Sequence, residues 1–369
     1  MATICLCMIV KDEAHIMKRC LDRVSPLIDH WSIVDTGSTD GTQDTIRGIL
    51  KDIPGELHER PWKNFGHNRS EALALARDKA DYTLMLDADD NFCFENPDRQ
   101  GFKAGLNKDV YFLRMICGSK YHLPKLTKNT TEWMYMGVLH EYLQCPTPDA
   151  KPITEYLPDW IRIEAIQDSA RNKDPKKYEK DAKLLEQGLK AEPNNSRYWF
   201  YMAQCKRDAG NFVGALQGYE KRVKMGGWGE ELYVAWWNVA ALRQRLKKPS
   251  EQIVSALLEA HGHAPKRAEV LHDLARVYRF ENKFNQAYLF AKAATDLVKA
   301  GAPTESLFLD PNIYAYGAYD ELAVSAFWVG RYQECVEACD RLLAEPRLPP
   351  EHAERIKTNR NFAVEKMKG

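Results

Sequence analysis

The 369-residue sequence has no long apolar run, no CxxC pair, no GxGxxG fingerprint, no GxxxxGK followed by Ser or Thr, and no excess of either charge. Each absence excludes something. Without a stretch approaching membrane-spanning length, and with the N-terminal apolar run ending at Lys11-Asp12-Glu13, neither a signal segment nor a spanning helix is expected. The nine cysteines are odd in number and scattered, which fits buried reduced thiols rather than a disulfide framework or a zinc site. Lys plus Arg equals Asp plus Glu at 52 each, so the overall electrostatic footprint of a nucleic-acid binder is missing. The balance is uneven along the chain: residues 1–165 carry a net −5 and residues 166–369 a net +5. A soluble protein of the reducing cytoplasm, with no membrane partner, is the expectation.

What is present falls into two halves with different periods. ICLCMIV (4–10), WSIVD (31–35), residues 56–60 and DYTLMLD (81–87) read as strands, separated by helical patterns near 13–24, 42–50 and 67–80. Strands alternating with helices predict βαβ units and a mostly parallel, doubly covered sheet. Shorter strand candidates, VYFLRMI (110–116) the clearest, continue to about residue 165. From Asp174 the helical period runs almost unbroken, and it repeats. Phe212/Ala215/Tyr219, Phe284/Ala287/Ala291 and Tyr332/Cys335/Cys339 share one spacing after a turn. A period of about 34 residues, with a small residue where paired helices meet, resembles the tetratricopeptide repeat. The expected fold is therefore an α/β domain over 1–165 followed by an all-α repeat domain over 166–369.

The chemistry concentrates at strand ends. Asp87-Ala88-Asp89-Asp90 places three carboxylates within four residues, which repel one another unless a cation lies between them. An EF-hand loop built on Asp87, Asp89 and Asn91 fails because Phe92 stands where glycine is required and Asp98 where glutamate is. An ordinary solvated loop is the plain alternative. Strand ends of open parallel sheets face the ligand crevice, and paired hard carboxylates suit Mg²⁺ or Mn²⁺, which keep phosphate oxygens among their ligands. IVDTGSTDGT (33–42) repeats the design, with Asp35 ending a strand and a polar turn opening a helix.

In this order CMIVKDE (7–13), IVDTGSTDGT (33–42), NFGHNRSEAL (64–73) and LDADD (86–90) resemble the motifs of family 2 glycosyltransferases, which have the Rossmann-like GT-A fold and a DxD metal motif. The resemblance covers about residues 3–165. In architecture the whole is similar to bacterial peptide S-glycosyltransferases and phage-encoded relatives. It implies that Asp35 recognises the nucleotide base, with Val10 and Glu13 lining the same pocket. Arg69 becomes the cation near the nucleotide or diphosphate; its plain alternative is a surface arginine paired with Glu71 or Asp81. Asp87 would face ribose and metal, Asp89 would bind Mn²⁺ or Mg²⁺ directly, and Asp90 would cap the following turn. WMYMGVLHEYL (133–143) resembles the family's GxxHE segment, which makes Glu141 the general base and His140 a metal or diphosphate contact. Where some relatives carry a further histidine this chain has Gln167, with Arg171 and Lys173 nearby.

These residues imply an inverting, metal-dependent transferase using a nucleotide-diphosphate sugar. The acceptor is left open among peptide or protein, glycan, lipid and DNA, and the repeats are expected to bind it or to pair two copies in a homodimer. Two alternatives stand beside this reading. One is a repeat scaffold with an inactive transferase domain; the other is a transferase acting on modified bases in DNA, whose binding would weaken steeply with salt.

Overall fold

In β1 (Ile4–Val10), Ile4, Leu6, Met8 and Val10 enter one buried cluster while Cys5 and Cys7 enter another. That alternation is what a strand covered on both faces requires. The computed structural model describes residues 1–117, 119–147, 151–303 and 306–368, and they divide into two compact units, Met1–Gly188 and Leu189–Gly369.

The first unit is an α/β domain. Its first half runs β1, α1 (Ala14–Val24), β2 (His30–Asp35), α2 (Thr42–Ile49), β3 (Gly55–Glu59), α3 (Phe65–Ala76) and β4 (Tyr82–Met85). Then come β5 (Asp90–Phe94), α4 (Arg99–Gly105), β6 (Val110–Cys117), β7 (Ser119–Lys128), β8 (Met134–Met136), β9 (Tyr142–Gln144), β10 (Thr154–Tyr156), β11 (Ile161–Ala165) and α5 (Lys177–Ala191). The main sheet has the order β3-β2-β1-β4-β7-β6-β11-β5, with β10 pairing β6. β3, β2, β1 and β4 are mutually parallel; β7 lies antiparallel to β4 and to β6, and β5 antiparallel to β11. The sheet is thus mixed, with its parallel part where the sequence predicts it. Strand order reverses beside β1, so the carboxyl ends of β1 and β4 form a topological switch point, where α/β sheets bind ligands.

Helix α1 buries Ile16, Met17, Cys20, Leu21 and Val24, a one-sided stripe at helical spacing. Helix α3 starts at Phe65, two residues before the predicted helix, because the Asn64 side chain caps it by accepting the His67 N–H at 2.8 Å.

The sequence places the domain boundary at 165/166, whereas the first unit extends to Gly188, inside α5. Hydrogen bonds explain the difference. Asp168 holds Arg19 through both carboxylate oxygens at 2.6 and 2.7 Å. The Ala170 N–H donates to Glu13 at 3.2 Å, and Asn172 donates to Asp89 at 3.0 Å. The segment after β11 is a strap tied back to the switch point.

The second unit is a tetratricopeptide-type array: α6 (Ser196–Asp208), α7 (Phe212–Arg222), α8 (Gly229–Arg245), α9 (Ser250–His263), α10 (Glu269–Phe280), α11 (Phe284–Ala300), α12 (Ala318–Trp328), α13 (Tyr332–Leu343) and α14 (Pro350–Lys368). Gly210, Lys247, Asn282 and Gly330 all adopt positive φ in the turns that open α7, α9, α11 and α13. Lys247 marks the degenerate copy, in which a lysine takes the left-handed turn position despite its Cβ. Ala215, Ala287 and Cys335 are fully buried, as helices that approach closely require. No described helix is long and apolar enough to cross a membrane.

Candidate active site

The two leading loops of the switch point are pinned to each other by their own polar residues. Val10 and Asp35 are register partners at the ends of β1 and β2, and the Val10 carbonyl accepts both the N–H and the hydroxyl of Thr36, at 2.9 and 3.1 Å. Asp12, at φ 57°, accepts the Thr39 N–H at 2.8 Å and donates its own N–H to Ser38 Oγ at 2.8 Å. Thr42 Oγ1 accepts the Glu13 N–H at 2.8 Å, and Asp40 accepts that of Ala14 at 3.0 Å. The many short polar residues of 35–42 are consumed in building this rim.

Asp35 is not fully consumed. Its Oδ1 accepts the N–H groups of Gly37 and Ser38, both at 2.7 Å, but its Oδ2 is buried with no hydrogen-bond partner among the described residues. A buried acceptor without a donor is costly unless a ligand supplies one.

Leu86 continues the β4 ladder by donating its N–H to the Cys7 carbonyl at 3.1 Å, so Asp87 emerges beside β1. The DADD turn closes on itself: the Asp90 N–H donates to the Asp87 carbonyl at 3.1 Å, and the Asp90 carboxylate accepts the Asp87 N–H at 3.0 Å. Asp90 thereby closes the turn that precedes it, rather than capping the one that follows as the sequence suggests. Two buried cations face these acids. Arg69, on α3, donates to Asp87 Oδ1 at 2.5 Å and to Glu141 Oε1 at 2.6 Å. Lys125, on β7, lies 3.3 Å from Asp90 and 3.7 Å from Asp87. Burial alone would push the Asp87 carboxyl up, but Arg69 and Lys125 more than offset it and hold it well below the usual carboxylate range. Burial pushes Asp90 up, against the pull of Lys125.

Glu141 follows the β8 strand and its turn, which dock on α3. Ser70 Oγ accepts the Tyr135 N–H at 2.8 Å, the Phe65 N–H reaches the Val138 carbonyl at 3.1 Å, and Gly66 packs against the Gly137 carbonyl. That contact fixes the general-base candidate against Arg69. His140, at φ 51°, is exposed in the same turn. Burial raises the Glu13 carboxyl to about 7; the Ala170 N–H opposes that shift, and Asp89, Asp40 and Asp168 add to it.

Of the predicted residues, Asp87, Arg69 and Glu141 are joined in one ion-paired chain, and Val10 and Asp35 sit side by side. Asp89 is tied to Asn172 instead. Gln167, at φ 62°, donates to Cys117 Sγ at 2.7 Å. Arg171 pairs with Asp181 at 2.6 Å and lies 4.7 Å over the Phe65 ring. Lys125 was missed. Tyr111 pairs with Leu126 and Phe112 with Pro124, which makes Lys125 the extra residue of a β-bulge. A bulge re-aims a side chain in a way that alternation cannot foretell.

Whether a divalent ion fits can be asked of these donors. Among the described residues no group of three His, Cys, Asp or Glu converges on one point, and both Asp87 oxygens already face cations. A metal held by protein alone does not fit. Asp89 has one carboxylate oxygen accepting from Asn172 and the other without a hydrogen bond among the described residues, which fits an ion that arrives with phosphate oxygens around it.

Residues 5–96 match the family model described as glycosyl transferase family 2. That stretch lies within the N-terminal unit, runs from β1 to the segment after β5, and contains Val10, Glu13, Asp35, Arg69, Asp87 and Asp89. A TPR repeat-containing protein of Synechococcus elongatus is 38% identical over 96 residues, which are 26% of this chain and 22% of that protein; the match spans about a fifth of the relative's length. Two solved structures are similar to about half of the chain. A tetratricopeptide repeat protein from Parabacteroides merdae has a TM-score of 0.39 at 16% identity, over 52% of this chain and 68% of that one. MamA from Desulfovibrio magneticus has a TM-score of 0.35 at 16% identity, over 48% and 86%.

Proposed function

We propose that the protein is an inverting glycosyltransferase that takes a sugar from a nucleotide-diphosphate donor. The observation that carries this reading is the chain Asp87–Arg69–Glu141, which sets a carboxylate able to take a proton beside a cation able to meet a diphosphate. Asp35 Oδ2, buried and without a donor of its own, accepts an N–H of the base. Arg69 and Lys125 bring positive charge to the edge where the diphosphate lies. Glu141 removes the proton of the acceptor as its nucleophilic atom bonds to the anomeric carbon. The bond from that carbon to the phosphate oxygen breaks on the opposite face, and the electron pair leaves with the diphosphate. Attack opposite to departure inverts the anomeric centre. Asp89, with Asp87 beside it, would hold a Mn²⁺ or Mg²⁺ entering with the donor, which supplies positive charge to the leaving group.

The repeats provide the acceptor-binding or pairing surface, and a reducing cytoplasm suits nine free thiols. The test is donor hydrolysis by the full chain with Mn²⁺ and a panel of UDP-, GDP-, TDP- and CMP-sugars, beside an Asp89→Ala control. Release of nucleotide from one donor, lost in the control, is expected. No release and no calorimetric binding of any nucleotide with Mn²⁺ would overturn the reading and leave a repeat scaffold.

A further inference from the structure

A cavity of about 520 Å³ lies wholly within the second unit, in the size range of small-molecule sites. Its walls come chiefly from the first helices of successive repeats, α6, α8 and α10. Gln204, Asn238 and His272 line it at intervals of 34 residues, so one position of the repeat supplies a polar group three times over. Its chemistry is assigned neither by the repeats nor by the transferase domain.

An extended chain laid along these helices meets an obstacle. Residues 307–310, ahead of α12, lie on the same face: Phe308 stacks on Phe200 of α6 with ring centroids 6.5 Å apart. Leu307 donates its N–H to Glu230 of α8 at 3.1 Å and accepts from Arg267 at 2.8 Å. The Asp310 N–H reaches Glu269 of α10 at 3.4 Å. This obstacle interrupts the groove along its length and leaves it open on one side, which favours a compact ligand over an extended strand.

The lining states what kind of compact ligand. Its charges are balanced, with Arg207 and Arg276 against Asp273 and Asp310, and most are engaged already. Arg207 is held by Asn238 at 2.5 Å and by Asp208 at 2.8 Å. Asp273 accepts the Trp237 indole N–H at 2.7 Å and lies 3.1 Å from His272 Nδ1. Two carboxamides are free to take a ligand in place of water: those of Gln204, half-buried, and Gln244, exposed at the mouth, make no side-chain hydrogen bond among the described residues, and both line the cavity. Each offers a carbonyl acceptor beside an NH₂ donor, the match for neighbouring hydroxyls that each give and take a hydrogen bond. Val234, Ile253 and Leu257 supply an apolar wall for C–H faces. A purely apolar ligand would strip water from the two amides without replacing it, and an ion would find no net opposite charge.

We propose that this cavity is a binding site for an uncharged saccharide, independent of the donor site in the first unit. The experiment is saturation-transfer difference NMR on the full chain with glucose, galactose, mannose, N-acetylglucosamine, maltose and lactose, each hit then titrated. It is repeated on Asp89→Ala and on the double variant Gln204→Ala/Gln244→Ala. Saturable binding of at least one sugar is expected, equal in Asp89→Ala and at least tenfold weaker in the double variant. Thermal melting of the double variant should be unchanged, because the two amides hold nothing else in place. Absence of binding by every sugar would overturn the proposal. So would a signal equally strong in the double variant, a signal lost in Asp89→Ala, or displacement of the sugar by a random nonapeptide mixture.

Discussion

Arg69 and Glu141 are 72 residues apart in sequence, yet the Arg69 Nε–H donates to the Glu141 carboxylate at 2.6 Å, with both side chains nearly out of solvent. The same guanidinium holds Asp87 at 2.5 Å. Removing one partner of such a buried set leaves uncompensated charge, at a cost of about 3–5 kcal/mol. Arg69→Met is therefore expected to lower stability by that order in urea unfolding and to abolish donor turnover. Adding Glu141→Gln should restore part of the stability and none of the turnover. Arg69→Lys keeps the charge but loses the fork that spans two carboxylates, and should fall between the two. Full stability in Arg69→Met would show that the bridge holds nothing together.

Gly66 is where the helix that carries Arg69 touches the turn that carries Glu141. A Cβ built there would stand 2.2 Å from the Gly137 carbonyl oxygen, a backbone atom. Gly66→Ala must push the β8–β9 turn outward. Overpacking costs about 1–3 kcal/mol, and a shift of about 1 Å at a reacting group can cost on the order of 10²-fold in rate. A lower Tm with kcat reduced more than donor KM is the expected pattern. Unchanged kcat would detach Glu141 from the reaction.

Lys125 neutralises Asp87 and Asp90 from a strand bulge and is 6% exposed. Lys125→Met should destabilise the fold by about 3 kcal/mol by leaving two acids facing each other. Lys125→Met/Asp90→Asn should recover most of that loss, since Asp90 is the acid that burial already pushes up. Denaturant midpoints of the single and double variants measure both effects.

What was legible in the sequence, and what was not, divides along one physical line. Strand ends, turn residues and helix periods are local signals, so Asp35, Asp87 and Asp89 could be placed at one sheet edge and the repeat turns at Gly210, Asn282 and Gly330 could be located. Lys125 could not, because a bulge breaks the alternation that would reveal an inward side chain. Nor could the strap of residues 166–174, whose place depends on Asp168 finding Arg19 and Asn172 finding Asp89 across 149 and 83 residues. β5 follows the acidic turn directly and pairs antiparallel with β11; a strand pattern alone does not name its partner.

Glu13 makes the strap sensitive to pH. Its carboxyl titrates near 7 in the folded chain against an ordinary 4.5. Between those values the folded state keeps a proton that the unfolded state has lost, so this group's contribution is complete below about 4.5 and declines as pH rises to about 7. The wild type should lose more Tm between pH 5 and pH 8 than the Glu13→Gln variant, which cannot ionise there. Parallel melting curves at the two pH values would show that Glu13 ionises freely.

Asp35 gives the sharpest test of the nucleotide pocket. Its Oδ1 is committed to the N–H groups of Gly37 and Ser38, and its buried Oδ2 has no donor. In Asp35→Asn the oxygen can keep the turn while the amide nitrogen presents donors where an acceptor stood. A base N–H would then face another donor, and losing a charge-assisted hydrogen bond in a buried site costs about 1.5–3 kcal/mol. Calorimetric binding of whichever nucleotide the donor panel selects is expected to weaken by roughly 10- to 100-fold. Stability should hold or rise, because the substitution removes a buried charge that the folded chain leaves half satisfied. Loss of stability with nucleotide affinity intact would make Asp35 a turn residue only and move the base elsewhere along the sheet edge.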